Sequence, residues 1–70
     1  MIKICFSENL RFLMKEKSVN QVTLSKAIGV AQSAISAWLS NKKEPSITSL
    51  WLLADFFATD IDFLVGRTDI

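Results

Sequence analysis

The sequence predicts an all-α fold in which five short helices form one compact domain over residues 1–70. Three observations support this prediction. Apolar residues recur at intervals of three and four positions in successive segments, as they do on the buried face of a helix. Residue types that cap helix starts, and two glycines that favour helix ends, separate those segments. The connections between the segments are short, which is typical of compact helical globules.

The first predicted helix begins at Ser7, whose hydroxyl is a suitable N-cap, and runs to about Lys17. Residues 1–6 place Ile or Phe at every second position, so an extended N-terminal arm is expected there. The inward face of the helix is predicted to hold Leu10, Leu13 and Met14.

The second predicted helix follows Asn20, whose side chain is a good N-cap, and ends at Gly29, which favours the left-handed conformation. Its apolar face is predicted to hold Leu24, Ala27 and Ile28. A third helix follows, with an inward stripe formed by Ala34, Ile35, Trp38 and Leu39. Its outward positions are Gln32, Ser33, Ser36 and Ala37.

The single proline, Pro45, cannot continue a helix and marks a loop after residue 41. Ser46 is expected to cap a fourth helix that buries Leu50, Leu53, Ala54 and Phe57, its last residue. Asp60 is expected to cap a fifth helix at residues 61–65, which Gly66 closes. Residues 67–70 are expected to form a tail.

The spacing of residues between positions 21 and 46 carries a further signal. It reads Gln21-x-x-Leu24-Ser25-x-x-Ile28-Gly29-Val30-x-x-Ser33-x-Ile35-Ser36-x-Trp38, followed by Asn41-Lys42-Lys43-x-Pro45-Ser46. This pattern resembles the Cro/cI-repressor (Xre-type) helix-turn-helix family, and the resemblance covers residues 10–66. It implies a DNA-binding domain of the lambda-repressor-like type, with the helix-turn-helix at helices 2 and 3 as the DNA-reading unit.

The charges divide unevenly along the chain, although the net charge is only +1. Residues 1–43 hold seven Lys and Arg residues against two Glu, a net charge of +5. Residues 44–70 hold Arg67 against five acids, a net charge of −4. The first part is therefore suited to face a polyanion, and the second part is suited to face away from it.

The outward face of the third helix is predicted to read base pairs in the major groove of DNA. No charged residue lies between Lys26 and Lys42, although both flanks are basic. Phosphates attract the flanking cations, whereas base edges require compact donors and acceptors. The alternative is that these are ordinary solvated positions. The predicted base-reading residues are Gln32, as a bidentate partner of adenine, with Ser33, Ser36 and Ala37 in support.

Phosphate contacts are predicted on either side of that helix. Asn20 and Gln21, at the start of the second helix, offer backbone amides and the positive end of the helix dipole. The resemblance implies that Gln21 anchors the DNA backbone. Asn41, Lys42 and Lys43 follow the third helix and are expected to hold the neighbouring phosphates. Taken alone, a Lys-Lys loop would be interpreted as an aid to solubility.

Several positions depart from the family pattern. The family often pairs an arginine with a glutamate where Met14 and Leu39 stand here, and both of these residues are apolar. Replacing both partners of a buried ion pair is tolerated, so Met14 is predicted to contact Leu39. Ser25 stands where alanine is usual, and its hydroxyl needs a backbone acceptor. Ala31 stands at the cap of the third helix, where the missing capping bond costs about 1 kcal/mol.

Apolar residues make up 50% of the chain, which is high for a domain with so small an interior. A symmetric dimer contact near the fourth and fifth helices is therefore predicted, and its residues are Leu52, Phe56, Ile61 and Phe63. Such a dimer would place two reading helices about one DNA turn (~34 Å) apart on a palindromic operator. The alternative is that these residues belong to the core.

The leading functional hypothesis is a sequence-specific DNA-binding transcriptional regulator, a repressor that occupies an operator. The second hypothesis is a protein-interaction module of the same fold with weak or no DNA binding. An enzyme is disfavoured because the chain has no histidine and no Ser/Lys or paired-carboxylate arrangement, and Asp60 and Asp62 are better explained as a helix cap and a first-turn acid. One cysteine, Cys5, excludes an internal disulfide and, with no histidine present, a zinc site, so no metal or cofactor is expected. A chain of 70 residues is too short for a sensor domain as well, so no small-molecule ligand is expected. No segment approaches the ~20 apolar residues of a membrane span, so a cytoplasmic location is expected.

Overall fold

Five α-helices make up the fold, and the computed structural model describes residues 5–66. The helices are α1 (Phe6–Glu16), α2 (Gln21–Ile28), α3 (Gln32–Leu39), α4 (Ile47–Phe57) and α5 (Ile61–Val65). No strand occurs among the described residues, so the predicted all-α fold of five helices is confirmed. Residues 1–4 of the expected arm and the expected tail at 67–70 lie outside the described residues.

The start of α1 differs from the sequence prediction. Ser7 was expected to cap this helix, but it lies inside the first turn and is only 5% exposed. Cys5 takes the N-cap position without a side-chain capping bond, and Phe6 is helical rather than part of an arm. The physical reason is burial: the Phe6 ring packs edge-on against Trp38, with ring centroids 6.0 Å apart. Burying an aromatic ring outweighs the capping preference of a serine.

The other three predicted N-caps form the expected side-chain hydrogen bonds. In each, a side-chain oxygen at the N-cap accepts a hydrogen bond from the amide three residues later. The donor–acceptor pairs are Thr23 to Asn20 (2.8 Å), Ser49 to Ser46 (3.1 Å) and Phe63 to Asp60 (2.8 Å).

Three helices end at a C-cap residue whose backbone is in the left-handed conformation. Gly29 and Gly66 close α2 and α5 with φ of 72° and 84°, as predicted. Ala58 closes α4 with φ of 53°, a conformation in which its Cβ crowds the backbone. The glycines therefore end their helices without strain, whereas α4 ends at some cost.

The core takes one fully buried side chain from every helix. These are Leu10, Leu24, Ile35, Leu53 and Leu64, each 0% exposed. Around them, α1 packs against α3 and α5, while α4 packs against α2 and α5. The α2–α3 unit is thus held by α1 on one side and α4 on the other. The predicted inward residues of α1 and α3 are buried or half-buried, but Ala27 of α2 is exposed and its predicted inward placement is wrong.

Candidate nucleic-acid interface

The turn between α2 and α3 is held by one left-handed residue and one side-chain bond. Gly29 supplies the left-handed conformation, and a Cβ at this position would meet nothing within 4 Å. The requirement for glycine is therefore one of backbone conformation rather than of space. The Ser25 hydroxyl donates to the Val30 carbonyl, which confirms that Ser25 needs a backbone acceptor. This bond runs from the last turn of α2 to the residue before the α3 cap.

The start of α3 carries no side-chain cap. Ala31 takes the N-cap position with extended backbone angles, and its side chain makes no capping bond, as its residue type predicts. The first amides of any helix have no acceptor within the helix. At the start of α3 the Ala34 amide donates to the Ala31 carbonyl oxygen at 3.0 Å, which leaves the amides of Gln32 and Ser33 available to water or to an anion.

The outer face of α3 is polar, uncharged and open to solvent. Gln32, Ser33 and Ser36 are exposed, and Ala37 is half-buried. The opposite face is buried through Ile35, 0% exposed, and Trp38, 5% exposed. The four residues predicted to read bases therefore lie on an accessible face, although Ala37 is the least accessible of them.

A shallow cleft of about 450 Å³ joins the start of α2 to the start of α3. Asn20 and Gln21, predicted to bind phosphate, line this cleft together with Gln32, predicted to read bases. Because the Asn20 side-chain oxygen already accepts from Thr23, its amide nitrogen is the group left to meet a phosphate. Val22 also lines the cleft and is 45% exposed, so it adds apolar surface to the cleft.

In the loop after α3, the side chains are exposed, whereas the backbone amides of Asn41 and Lys42 are bonded to carbonyls of α3. The Asn41 amide donates to Trp38 at 3.2 Å, and the Lys42 amide donates to Ala37 at 2.9 Å. Asn41 itself is left-handed, with φ of 61°. Its side chain and those of Lys42 and Lys43 are exposed. The loop backbone therefore closes α3, while three exposed polar side chains are accessible to a polyanion.

Arg11 approaches the end of α3 from α1. Its Nη2 donates to the Leu39 carbonyl oxygen at 3.0 Å. From the sequence, Arg11 contributes only to the charge balance of residues 1–43. The signal that points to it is the absence of any basic residue in the last turn of α3, the place where a cation is most favourable.

Met14 is buried in the core, and Leu39 is half-buried against the cluster to which Met14 belongs. Both residues therefore lie at the packed junction of α1 and α3. A direct contact between their side chains stays a prediction.

The four residues predicted to form a dimer contact differ in their neighbours and in their exposure. Phe63 packs edge-on against Phe12 of α1, with ring centroids 6.3 Å apart. Ile61 instead lines an open groove of about 450 Å³ beside Trp51 of α4. Phe56 is 38% exposed, and Leu52 is half-buried.

The most exposed large apolar side chains of α4 lie outside that set. Ile47 is 82% exposed and Trp51 is 69% exposed. The groove beside Trp51 also includes Asp55 and Asp60 in its lining. The exposed apolar surface of the α4–α5 pair therefore has an acidic border.

The two halves of the described chain differ in charge. Residues 5–43 carry six basic residues, including Lys26 and Lys42, against Glu8 and Glu16. Residues 44–66 carry only acids, and these are Glu44, Asp55, Asp60 and Asp62. The half of the described chain that contains α3 therefore carries the positive charge that attracts a nucleic acid.

Other kinds of site find little support in residues 5–66. No group of His, Cys, Asp or Glu in this range is arranged to hold a metal ion. Across the same residues, every helix is too short or too polar to cross a bilayer.

Known proteins resemble this chain over most of its length. The helix-turn-helix family matches residues 10–64. The HTH-type transcriptional activator BcrR of Enterococcus faecalis is 34% identical over 65 residues, which are 93% of this chain and 32% of that protein. A transcriptional regulator from Listeria innocua superimposes with a TM-score of 0.87 at 30% identity, over 99% of this chain and 64% of that one.

The P22 c2 repressor, in a crystal structure with a synthetic operator, superimposes with a TM-score of 0.83 at 28% identity. This match covers 90% of the present chain and 96% of that one. The present chain spans 32%, 57% and 52% of the lengths of three related transcriptional regulators.

Proposed function

Because this chain belongs to the Cro/cI-repressor (Xre-type) helix-turn-helix family, we propose that it is a sequence-specific DNA-binding regulator of transcription. One observation carries the proposal: the exposed face of α3 is uncharged, while cations border it on both sides. A neutral face of donors and acceptors suits base edges, and bordering cations suit phosphates. The domain that performs this function comprises residues 1–70.

Gln32 is the principal base reader in this proposal. It lies at the first position of α3, is exposed, and lines the cleft that reaches the start of α2. A glutamine amide offers one donor and one acceptor, which match N7 and N6 of adenine. Ser33 and Ser36 lie beside it on the same exposed face and supply further hydrogen bonds. Ala37 adds a small apolar contact.

The phosphates on the two sides of the groove are bound by different groups. Asn20 and Gln21 offer backbone amides at the positive end of α2, close to Gln32. Asn41, Lys42 and Lys43 offer exposed side chains just after α3. Two clamps of this kind fix the depth and the register of α3 without carrying sequence information.

The regulator acts as a homodimer on a palindromic operator. Its contact involves the apolar residues Leu52, Phe56, Ile61 and Phe63. Trp51 belongs with them, because it shares a groove with Ile61 and is 69% exposed. This surface belongs to the acidic half of the chain, so a dimer formed through it leaves the basic half free for DNA.

The regulator acts as a repressor, which occupies its operator and blocks access to it. The P22 c2 protein is named a repressor, whereas BcrR is named an activator, so the family supports both directions. Steric repression requires nothing beyond the DNA-binding surface described above. The protein acts in the cytoplasm and needs no cofactor or small ligand for this role.

A protein-interaction module is the second candidate. Exposed Ile47 and Trp51 favour it, because large apolar side chains at 82% and 69% exposure mark surfaces that bind other proteins. The two candidates differ in their response to salt, since only DNA binding releases counterions.

Selection of bound duplexes from a random pool tests the proposal. We expect a palindromic site with half-sites about 10 base pairs apart, bound less tightly as salt rises. Lys43→Ala is expected to reduce the slope of log affinity against log salt by about one, whereas Lys15→Ala leaves the slope unchanged. Recovery of no preferred sequence, or an affinity that does not respond to salt, would favour the interaction module instead.

A further inference from the structure

The last four carbonyls of α3 need donors from outside the helix. Three of them accept from the loop that follows: Ser40 donates to Ser36 at 3.1 Å, Lys42 to Ala37 at 2.9 Å and Asn41 to Trp38 at 3.2 Å. The fourth belongs to Leu39. Among the described residues, its donor is the guanidinium of Arg11, which reaches it from α1 across 28 positions of sequence.

The helix that receives this bond has little support of its own. It is eight residues long, too short to be stable in isolation. It has no side-chain cap at Ala31, no acid in its first turn and no base in its last turn. The favourable interaction between a cation and the negative end of a helix must therefore come from another element. Arg11 supplies it, in a hydrogen bond strengthened by charge.

Arg11 is also one of the points at which α1 holds the end of α3. A second point is inside the molecule, where Phe6 packs edge-on against Trp38. Trp38 and Leu39 are consecutive residues of α3. The buried contact at Trp38 and the exposed hydrogen bond at Leu39 therefore hold adjacent residues of the helix. A helix held by both contacts is restrained from rotating about its own axis. That rotation determines where Gln32 and Ser36 aim their side chains.

We propose that Arg11 is a positioning residue, which sets the orientation of α3 and thereby the discrimination between base pairs. The effect on discrimination rests on the proposed DNA-binding function, whereas the restraint on α3 does not. Arg11 acts through the Leu39 carbonyl and touches no base. Loss of this restraint should therefore reduce the preference for the selected sequence more than it reduces the affinity for DNA of any sequence.

Arg11→Met tests this proposal, with Lys15→Met as the matched control. Lys15 is exposed on α1 one turn later, so both variants lose one positive charge and keep an aliphatic side chain. Both side chains are exposed, and neither variant is expected to disturb the core. In the protein without DNA, Arg11→Met should raise hydrogen exchange at the amides of Ser40, Asn41 and Lys42 by roughly five- to tenfold. Lys15→Met should leave those rates unchanged.

Binding to DNA supplies the second measurement. The ratio of affinities for the selected duplex and a scrambled duplex should fall roughly tenfold in Arg11→Met and stay unchanged in Lys15→Met. The salt slope of Arg11→Met should equal that of Lys15→Met. If Arg11→Met instead weakens both duplexes equally and lowers the slope by about one, Arg11 is a phosphate contact and the proposal is wrong. Unchanged hydrogen exchange would also overturn it. Should the parent protein bind no duplex, the proposed function fails while hydrogen exchange still decides whether Arg11 restrains α3.

Discussion

The α2–α3 unit and the α4–α5 pair are built on one core but present opposite surfaces. The first exposes the uncharged face around Gln32 between basic flanks, and the second exposes Trp51 beside acids. Inside, the two are alike, since Ile35 of α3 and Leu53 of α4 are both 0% exposed. Buried residues of this kind therefore account for the fold, while the exposed residues distinguish the surface proposed for DNA from the surface proposed for a dimer contact.

The largest effect is expected where the two regions share the core. Ile35→Ala should lower the free energy of unfolding by about 2–5 kcal/mol, because it removes a fully buried side chain from a small domain. Ile47→Ala is the matched control, since the same substitution at 82% exposure should change stability by no more than about 0.5 kcal/mol. Chemical denaturation of both variants measures the difference. Equal losses at the two positions would show that Ile47 is covered, for example in a dimer.

The next effect concerns the apolar surface of α4. Trp51→Ala should weaken dimerisation by about 2 kcal/mol or more, roughly 30-fold or more in dissociation constant, because aromatic residues carry much of the energy of interfaces. Val22→Ala, an exposed apolar residue of the α2–α3 unit, should leave dimerisation unchanged. Sedimentation equilibrium provides the measurement. A monomer before and after substitution would remove the dimer from the proposal.

A somewhat smaller effect concerns the neutral face of α3. Gln32→Ala should cost about 1–3 kcal/mol at one base pair of each half-site, because one bidentate contact is lost. Thr48→Ala, at an exposed position of α4, should leave the preference intact. Competition with duplexes altered at single positions measures both. A uniform loss of affinity across all sequences would show that Gln32 holds the backbone rather than a base.

The smallest effect concerns the backbone conformation at the end of α4. Ala58→Gly should stabilise the protein by about 1 kcal/mol and raise Tm by roughly 4–8 °C, because glycine takes the left-handed conformation without strain. Ala27→Gly, at an exposed site within α2, should instead destabilise it by about 0.5–1 kcal/mol. Thermal unfolding compares the two variants. A loss of stability at Ala58 would show that its methyl group makes a contact of greater value than the strain it causes.

Helix starts and ends were largely readable from the sequence. Asn20, Ser46 and Asp60 cap their helices, and Gly29 and Gly66 end theirs, as predicted. These features depend on hydrogen bonds between residues three or four positions apart. A short stretch of sequence is therefore enough to predict them. The exposed polar face of α3 was also predictable, because helical periodicity alone separates its faces.

The failures share a different cause. Ser7 has the chemistry of a cap, but packing of Phe6 against Trp38 starts α1 earlier. Ala27 has the spacing of a buried residue, but it is exposed, whereas Leu24 and Ile28 of the same helix are buried. In both cases the packing of the helices, rather than local propensity or spacing, decides which residues are buried.

The sequence by itself determined the number of helices, the N-cap residues of every helix except α1, and the division between a basic half and an acidic half. These follow from periodicity, short-range hydrogen bonds and the order of charges along the chain. Only the tertiary structure decided that Arg11 meets Leu39, that Asn20 and Gln32 share a cleft, and that Trp51 faces solvent. The physical reason is that these relations depend on how helices pack, and packing joins residues that the sequence keeps apart.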